Sequence, residues 1–246
     1  MSEGNELIIL PDPAALAAEG ARRFAALARE AITVRGRFSV ALAGGNTPRA
    51  MYEHLAQPPF KDLIDWANTH IFWSDERYVP PDDPESNFRM ARDALLAHVP
   101  IPAAHIYPAP TVGATPEAAA DAYSQTLIAF FGGELPRFDL ILLGLGPDGH
   151  TASLFPGAPE LTSPPNGLVV AVHDAPKPPP TRISFTLKLI NAAAVVIVLV
   201  SGAEKAMVLR EVLRGPLDPA RLPAQGVRPA QGALVWLVDQ AAAKQL

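Results

Sequence analysis

The sequence contains no cysteine, which excludes disulfide bonds, catalysis by a thiolate and metal sites built on cysteine. It also has no long hydrophobic run, because its most apolar stretch, residues 192–200, is far shorter than the roughly 20 residues of a membrane helix. The first ten residues lack the basic region and the long apolar stretch of a secretory signal. We therefore expect a soluble, cytoplasmic protein with no membrane contact.

Positive charge is scarce as well. The 20 Lys and Arg residues are outnumbered by 25 Asp and Glu residues, so the formal net charge is -5. Non-specific binding of nucleic acid depends on basic residues that neutralise phosphates, and this balance gives it no support. Hydrophobic residues form 49% of the chain, which argues against disorder. A chain of 246 residues can bury a core, and we expect one α/β domain over residues 1–246.

Apolar runs alternate with helical patterns along the chain. The predicted strands cover residues 6–10, 38–43, 69–74, 105–107, 139–143, 168–172, 194–200 and 234–238. The predicted helices run from an N-cap at residue 12 to near residue 36, and over residues 48–56, 87–98, 116–131 and 204–214. This alternation indicates a largely parallel sheet covered on both faces. The 27 prolines concentrate in residues 175–180 and 215–229, which we interpret as rigid loops.

Ligands of parallel α/β sheets bind beyond the carboxyl ends of the strands, so the loops there are informative. The first such loop holds Gly44, Gly45, Asn46 and Thr47 between a strand and a helix. Two glycines and a helix N-terminus can cradle a phosphate. The Gly-Lys-Ser/Thr ending of a Walker loop is absent. An ordinary turn with Thr47 as N-cap is an equally good interpretation.

Charged residues follow the third predicted strand. Asp75, Glu76 and Arg77 lie between the aromatic residues Trp73 and Tyr78. Such charges cannot belong to the core, so we expect them to face solvent or to line a cleft. Three consecutive charges flanked by aromatics favour the cleft.

A third loop, residues 144–151, contains a literal G-x-G-x-x-G sequence. A dinucleotide site is rejected because the long helix that it requires is interrupted by prolines. These are Pro156, Pro159, Pro164 and Pro165. The glycines instead present Asp148 and His150, and a histidine with a pKa near working pH suits a general base. Structural or surface roles are expected for the other five histidines: His54, His70, His98, His105 and His173.

Two cations complete the candidate site. Arg182 follows a proline-rich loop, and Lys205 lies in the first turn of a helix after a buried strand. A cation in that turn opposes the helix dipole at a cost of roughly 0.3–1 kcal/mol, which suggests a nearby anion. Each of the two residues, taken alone, is more typical of a surface charge.

Together these segments resemble the 6-phosphogluconolactonase family, which also includes glucosamine-6-phosphate isomerases. The match is colinear from about residue 6 to residue 240. It comprises residues 43–48, 73–78 with Ser86 and Asn87, 144–156, and Arg182 with residues 202–206, and the segment 146–156 is the most specific. The resemblance implies a three-layer Rossmann-like fold similar to that of glucosamine-6-phosphate deaminase and ribose-5-phosphate isomerase. It also implies hydrolysis of 6-phospho-D-glucono-1,5-lactone in the oxidative pentose phosphate pathway, without an organic cofactor or a catalytic metal.

The related deaminases differ at two positions. They carry a Glu where this chain has Phe155, and usually Asp-Glu-Tyr where it has Asp-Glu-Arg at 75–77. Both departures favour the lactonase. The alternatives left open are an aminosugar-phosphate deaminase or isomerase and a non-catalytic sugar-phosphate-binding module. No G-x-S-x-G elbow or H-E-x-x-H metal motif is present.

The resemblance also implies roles for the candidate residues. The phosphate of the sugar is expected on residues 44–47, clamped by Arg182 and Lys205, with His150 as the base that activates water. Arg77 and loop N–H groups are expected to stabilise the oxyanion. Asp148 or Asp75 is expected to orient the imidazole or to bind sugar hydroxyls, and the sequence does not choose between these roles. The expected partner is the sugar phosphate, with no nucleic acid and no membrane, and we expect a monomer or a small homo-oligomer.

Overall fold

The computed structural model describes residues 5–113, 115–162 and 167–246, and within them nine strands form two sheets. In chain order the strands are β1 (Asn5–Leu10), β2 (Phe38–Leu42), β3 (Thr69–Trp73), β4 (Asp75–Arg77), β5 (Leu140–Gly144), β6 (Val169–Val172), β7 (Arg182–Phe185), β8 (Val195–Val200) and β9 (Ala233–Asp239). The larger sheet has the order β1-β9-β8-β5-β2-β3, and its neighbouring strands are parallel. The smaller sheet has the order β4-β7-β6 and is antiparallel.

Helices cover both faces of the larger sheet. They are α1 (Pro13–Arg35), α2 (Asn46–Leu55), α3 (Phe60–Leu63), α4 (Asn87–Ala91), α5 (Pro116–Phe130), α6 (Pro159–Thr162), α7 (Leu187–Ile190) and α8 (Ala206–Arg214). The start of α1 follows the predicted signals, since Asp12 accepts a hydrogen bond from the Ala15 N–H at 2.8 Å and Pro13 takes the first position. Gly36, at a φ of 75°, ends the helix.

The core divides along the sheet because neighbouring strand residues point to opposite faces. Leu140 and Leu142 of β5 pack with α1 and α2, whereas Ile141 and Leu143 pack with α5, α8 and the smaller sheet. The result is three layers, with helices on both sides of a parallel sheet. This architecture confirms the predicted fold class. Among the described residues, no helix is long and apolar enough to cross a membrane.

Several local predictions are wrong. The expected strand over 105–107 is absent: residues 103–105 form a 3-10 turn, and Ile106 makes only an isolated bridge to Ile71. The run 168–172 is a strand, but it belongs to the smaller sheet. Helix α2 begins at Asn46 with Gly45 as its N-cap, so Thr47 does not cap it. The helix expected over 87–98 is α4 followed by a π-helical turn that ends at Leu96.

The prolines after the third loop act as expected. The chain beyond residue 151 forms turns and the four-residue helix α6, which begins at Pro159, so no long helix follows the glycines in the described part of the chain. Pro164 and Pro165 lie outside the described residues.

Candidate active site

A cleft of about 330 Å³ opens at the carboxyl ends of the central strands. It brings together seven of the ten predicted site residues: Gly44, Gly45, Asp75, Arg77, His150, Arg182 and Lys205. Asp148 contacts the cleft through His150. Asn46 lines an adjoining cavity that also contacts Gly45 and Arg77. Thr47 lines neither cavity.

His150 is held by the carboxylate two residues before it. Asp148 Oδ1 lies 2.5 Å from His150 Nδ1 and accepts a further hydrogen bond from the His150 backbone N–H at 3.2 Å. Burial opposes ionisation of Asp148, but the hydrogen bond and charge of His150 lower the pKa of Asp148 to about 2. An ionised carboxylate only accepts hydrogen bonds, so Nδ1 carries the proton and the neutral imidazole keeps a lone pair on Nε2.

Asp75, the other candidate partner of the imidazole, is engaged elsewhere. Its Oδ2 accepts a hydrogen bond from Ser153 Oγ at 2.7 Å, and its backbone carbonyl accepts one from Asn87 Nδ2 at 2.9 Å. The carboxylate is 8% exposed and lines the cleft. The structure therefore pairs His150 with Asp148 and leaves Asp75 as a second acid on the cleft wall.

Two further residues fix the imidazole in place. A Cβ atom at Gly146 would overlap His150 Nδ1, so the loop needs glycine there to let the ring pack against its backbone. On another side, the ring of Phe155 lies 4.6 Å from the imidazole, centroid to centroid. Phe155 is buried, and its ring also lies 5.9 Å from the guanidinium of Arg182.

The smaller sheet supplies both arginines of the cleft. Its antiparallel register sets Arg77 on β4 directly opposite Arg182 on β7. Arg182 is 5% exposed, and its Nε and Nη2 donate to the carbonyls of Pro179 and Lys177 at 2.9 and 3.0 Å. Burial, and then the adjacent charge of Arg77, lower the pKa of Arg182. The unused donors of two neighbouring guanidinium groups make this wall of the cleft a binding surface for an anion.

Arg77 is held from the loop that follows β4. Its Nη1 donates to the Glu85 carbonyl at 2.7 Å and lies 3.6 Å from the Glu85 carboxylate. Its Nε is buried and makes no hydrogen bond to any described residue. A buried donor without a partner is costly, and the residue that carries it also lines the cleft.

Lys205 contributes a third cation from the larger sheet. It ends a 3-10 turn, Ala203–Lys205, and serves as N-cap of α8, one position before the helical turn predicted for it. Burial lowers the pKa of Lys205, Glu204 opposes this shift and Lys177 adds to it. Lys177 also lines the cleft.

Glu76 contradicts the expectation that these charges cannot be core. It is 3% exposed, and its carboxylate accepts backbone N–H groups of Arg77, Asn87 and Phe88, each at 2.7 Å. Burial raises the pKa of Glu76 to about 7 although these hydrogen bonds favour the charged form. Glu76 thus ties β4 to the start of α4 and holds Asp75 and Arg77 in the cleft wall.

Among the cleft-lining residues that sequence reasoning missed are Lys177 and Asn87. Lys177 lies in a proline-rich loop that was interpreted only as rigid. This loop connects two paired strands of the smaller sheet, which was not predicted. Asn87 stands in a segment that carried the resemblance, yet it received no role. A Cβ atom at Gly44 would overlap the Asn87 side chain, which explains why this loop needs glycine.

Comparisons by sequence and by structure relate this chain to the same family of proteins. The family model described as glucosamine-6-phosphate isomerases/6-phosphogluconolactonase matches residues 11–236. A 6-phosphogluconolactonase from Synechocystis is 47% identical over 220 residues, 88% of each chain. A solved 6-phosphogluconolactonase from Trypanosoma cruzi superimposes with a TM-score of 0.88 at 29% identity, covering 100% of this chain and 98% of that one. A monomeric glucosamine-6-phosphate deaminase, 21% identical, has the same fold with a TM-score of 0.82 over 98% of this chain and 100% of its own.

Proposed function

Because the chain belongs to the glucosamine-6-phosphate isomerase/6-phosphogluconolactonase family, as its motifs predicted, we propose that it hydrolyses 6-phospho-D-glucono-1,5-lactone to 6-phospho-D-gluconate. This reaction is a step of the oxidative pentose phosphate pathway. One observation carries the proposal: the His150–Asp148 pair and the cations Arg77, Arg182 and Lys205 meet in one cleft. A base beside a group of cations suits a substrate that joins a reactive carbonyl to a phosphate.

The phosphate binds at the cationic side of the cleft. Arg182 offers a planar fork that matches two phosphate oxygens, and Lys205 adds a compact charge. The backbone at Gly44 and Gly45 is open to close approach, and the N-terminus of α2 has no side-chain cap, so its N–H groups remain available to an anion. Binding at this end fixes where the lactone ring lies.

His150 acts as the general base. Its Nε2 takes a proton from water, and the water oxygen attacks the lactone carbonyl carbon to give a tetrahedral oxyanion. Asp148 keeps the proton on Nδ1 and stabilises the imidazolium that forms. The protonated Nε2 then returns its proton to the ring oxygen as the carbon–oxygen bond breaks. The carboxylic acid so formed loses its proton to solvent, which gives 6-phosphogluconate.

Arg77 stabilises the oxyanion. Its position on the cleft wall, directly opposite Arg182, supports this role. Removal of one such donor typically costs about 2.7–4 kcal/mol of transition-state stabilisation. Asp75 binds a sugar hydroxyl. Its place on the cleft wall supports this role, as does the hydrogen bond that its carboxylate accepts from Ser153. Every step uses side chains of this chain and water.

The deaminase alternative receives no support from the site. A deaminase of this fold needs a Glu at the position of Phe155, but that side chain is a buried ring packed on the imidazole. A purely sugar-binding module does not require a histidine held by a carboxylate in the base tautomer. We further propose that the enzyme acts in the cytoplasm, as a monomer or a small homo-oligomer.

The test is lactone hydrolysis with substrate made in situ from glucose 6-phosphate and its dehydrogenase, measured above the spontaneous rate. His150→Ala should lower kcat by roughly 10²–10⁴-fold, because general base catalysis is lost. Arg182→Ala should chiefly raise KM, because ground and transition states share the phosphate contact.

A matched control is available in His173, which also forms a pair with a carboxylate, at 2.7 Å from Glu117, but lies outside the cleft. His173→Ala should keep the activity of the wild type. A wild type that gives no acceleration would refute the proposed reaction, and a fully active His150→Ala variant would refute the proposed base.

A further inference from the structure

Asp239 is a buried carboxylate with no place in the mechanism above. It ends β9 and is 1% exposed. Its oxygens accept hydrogen bonds from Ser201 Oγ at 2.6 Å, from the Gly202 N–H at 3.1 and 3.2 Å, and from the Ala242 N–H at 2.7 Å. A charge buried this deeply is kept only where it is well satisfied by donors.

Two of those donors lie at the start of the turn that carries Lys205. Ser201 directly follows β8, and Gly202 adopts a φ of 103° that reverses the chain out of the sheet. The Gly202 carbonyl then accepts the Lys205 N–H at 3.1 Å and closes the turn. The carboxylate of Asp239 therefore holds the first two residues of the segment whose last residue lines the cleft.

We propose that Asp239 is a positioning residue that sets the place of Lys205, and through it the affinity of the cleft for the phosphate of the substrate. The inference rests on the proposed function, in which Lys205 binds that phosphate. Asp239 itself is not among the cleft-lining residues, so it acts only through the turn.

The contact needs a carboxylate and not merely a polar group. Both oxygens of Asp239 accept hydrogen bonds, one from Ala242 and the other from Ser201, and Gly202 is shared between them. Asparagine would turn an N–H₂ group toward one set of donors and lose it. Asp239→Asn therefore loosens the turn while it preserves the size of the side chain.

The same sheet provides a matched control at its opposite end. Asp139, just before β5, is 9% exposed and accepts hydrogen bonds from the Ser39 N–H and hydroxyl at 2.7 and 2.8 Å. It is a buried aspartate with a serine partner, as Asp239 is, and it also forms an ion pair with Arg35. It does not line the cleft or hold a cleft-lining turn. Asp139→Asn therefore reports the general cost of neutralising a buried carboxylate.

The experiment is a double-mutant cycle on KM and kcat, with Asp239→Asn, Lys205→Ala, the double variant and Asp139→Asn. Lys205→Ala should raise KM by about 10- to 100-fold, the range for hydrogen bonds to a charged group. Asp239→Asn should raise KM by at least about 3-fold, with kcat close to wild type, because part of the same contact is lost. In the Lys205→Ala background it should add nothing, since its effect passes through the lysine.

The proposal is overturned if Asp239→Asn raises KM by the same factor in the presence and in the absence of Lys205. It is also overturned if Asp139→Asn raises KM as much as Asp239→Asn does. If Asp239→Asn does not fold, Ser201→Ala removes one donor and leaves the carboxylate. It should then give a smaller rise in KM that also vanishes without Lys205.

Failure of the proposed function gives a different result, because the wild type itself then shows no lactone hydrolysis. In that case calorimetric affinity for inorganic phosphate replaces KM for the same variants. The positioning role is supported if Asp239→Asn weakens phosphate binding only in the protein that retains Lys205. Equal affinity of Asp239→Asn and wild type for phosphate refutes it.

Discussion

Replacing Gly146 with alanine tests whether the position of the imidazole controls the rate. The backbone at Gly146 is not in the left-handed region, so alanine is compatible with the chain itself. The new methyl group, however, would lie 2.7 Å from Asp148 Oδ1 and closer still to His150 Nδ1. Ordinary van der Waals contact begins near 3.4 Å, so the carboxylate must retreat by about 0.7 Å and the imidazole further.

A displacement of about 1 Å at a reacting group costs about 10²-fold in rate. We therefore expect Gly146→Ala to lower kcat by about 10²-fold or more, equivalent to about 2.7 kcal/mol of activation free energy. KM should change little, because Arg182 and Lys205 remain in place. The assay is lactone hydrolysis above the spontaneous rate, with circular dichroism to verify the fold.

The control is the same substitution at Gly167, outside the cleft, where a Cβ atom would come no closer than 3.4 Å to Val169 O. Gly167→Ala should retain the wild-type kcat. A folded Gly146→Ala variant with kcat within about 3-fold of wild type would refute the reasoning, because such a clash cannot be absorbed without moving the base.

Two further predictions concern titratable groups outside the cleft, the buried Glu76 and the half-buried His70. Glu76 has a pKa of about 7, so its carboxylate is charged at pH 8. At that pH, Glu76→Gln should lower the free energy of unfolding by about 1–3 kcal/mol, because an amide cannot accept every N–H that the carboxylate accepts. An unchanged urea midpoint would contradict this prediction. Burial first, and then the nearby charges of His105 and Arg37, lower the pKa of His70 from 6.5 to about 4. Between these values the unfolded chain binds more protons, so stability should fall as the pH drops from 6.5 to 4. His70→Gln should reduce the change in urea midpoint between pH 7 and 4.5, and an equal change in both proteins would refute the assignment.

The location of the site followed from the sequence because parallel strands end at a common edge. The loops after β2, β5 and β8 were each recognisable by glycines and charges, and the sheet order then brings Gly44, His150 and Lys205 together. This inference needs only strand direction, which the alternation of strands and helices provides.

The smaller sheet escaped prediction for a physical reason. Asp75–Arg77 is too short and too charged to be recognised as a strand, and it pairs with Arg182–Phe185 about a hundred residues later. Its order comes from that long-range pairing and from the burial of Glu76, neither of which leaves a local pattern. The interpretation of these charges as a loop was therefore wrong, although their expected place in a cleft holds for Asp75 and Arg77.

The sequence alone could not decide whether Asp148 or Asp75 is the partner of the imidazole. Asp148 is two residues from His150, and Asp75 is distant in sequence but lines the same cleft. Sequence spacing alone allows both to reach the imidazole. The hydrogen bond from Ser153 to Asp75 separates them, and it joins residues 78 positions apart.

The facing arginines of the smaller sheet predict that the supply of the proposed substrate affects the lifetime of the protein. Arg77 and Arg182 stand opposite each other on paired strands, and burial, and then the charge of Arg77, lower the pKa of Arg182. An anion that binds only the folded chain relieves this repulsion and adds about 2.7 kcal/mol of stability at a free concentration of 100 Kd. Proteases attack the unfolded chain, so we expect a cell rich in the proposed substrate to keep more of this protein intact than a starved one.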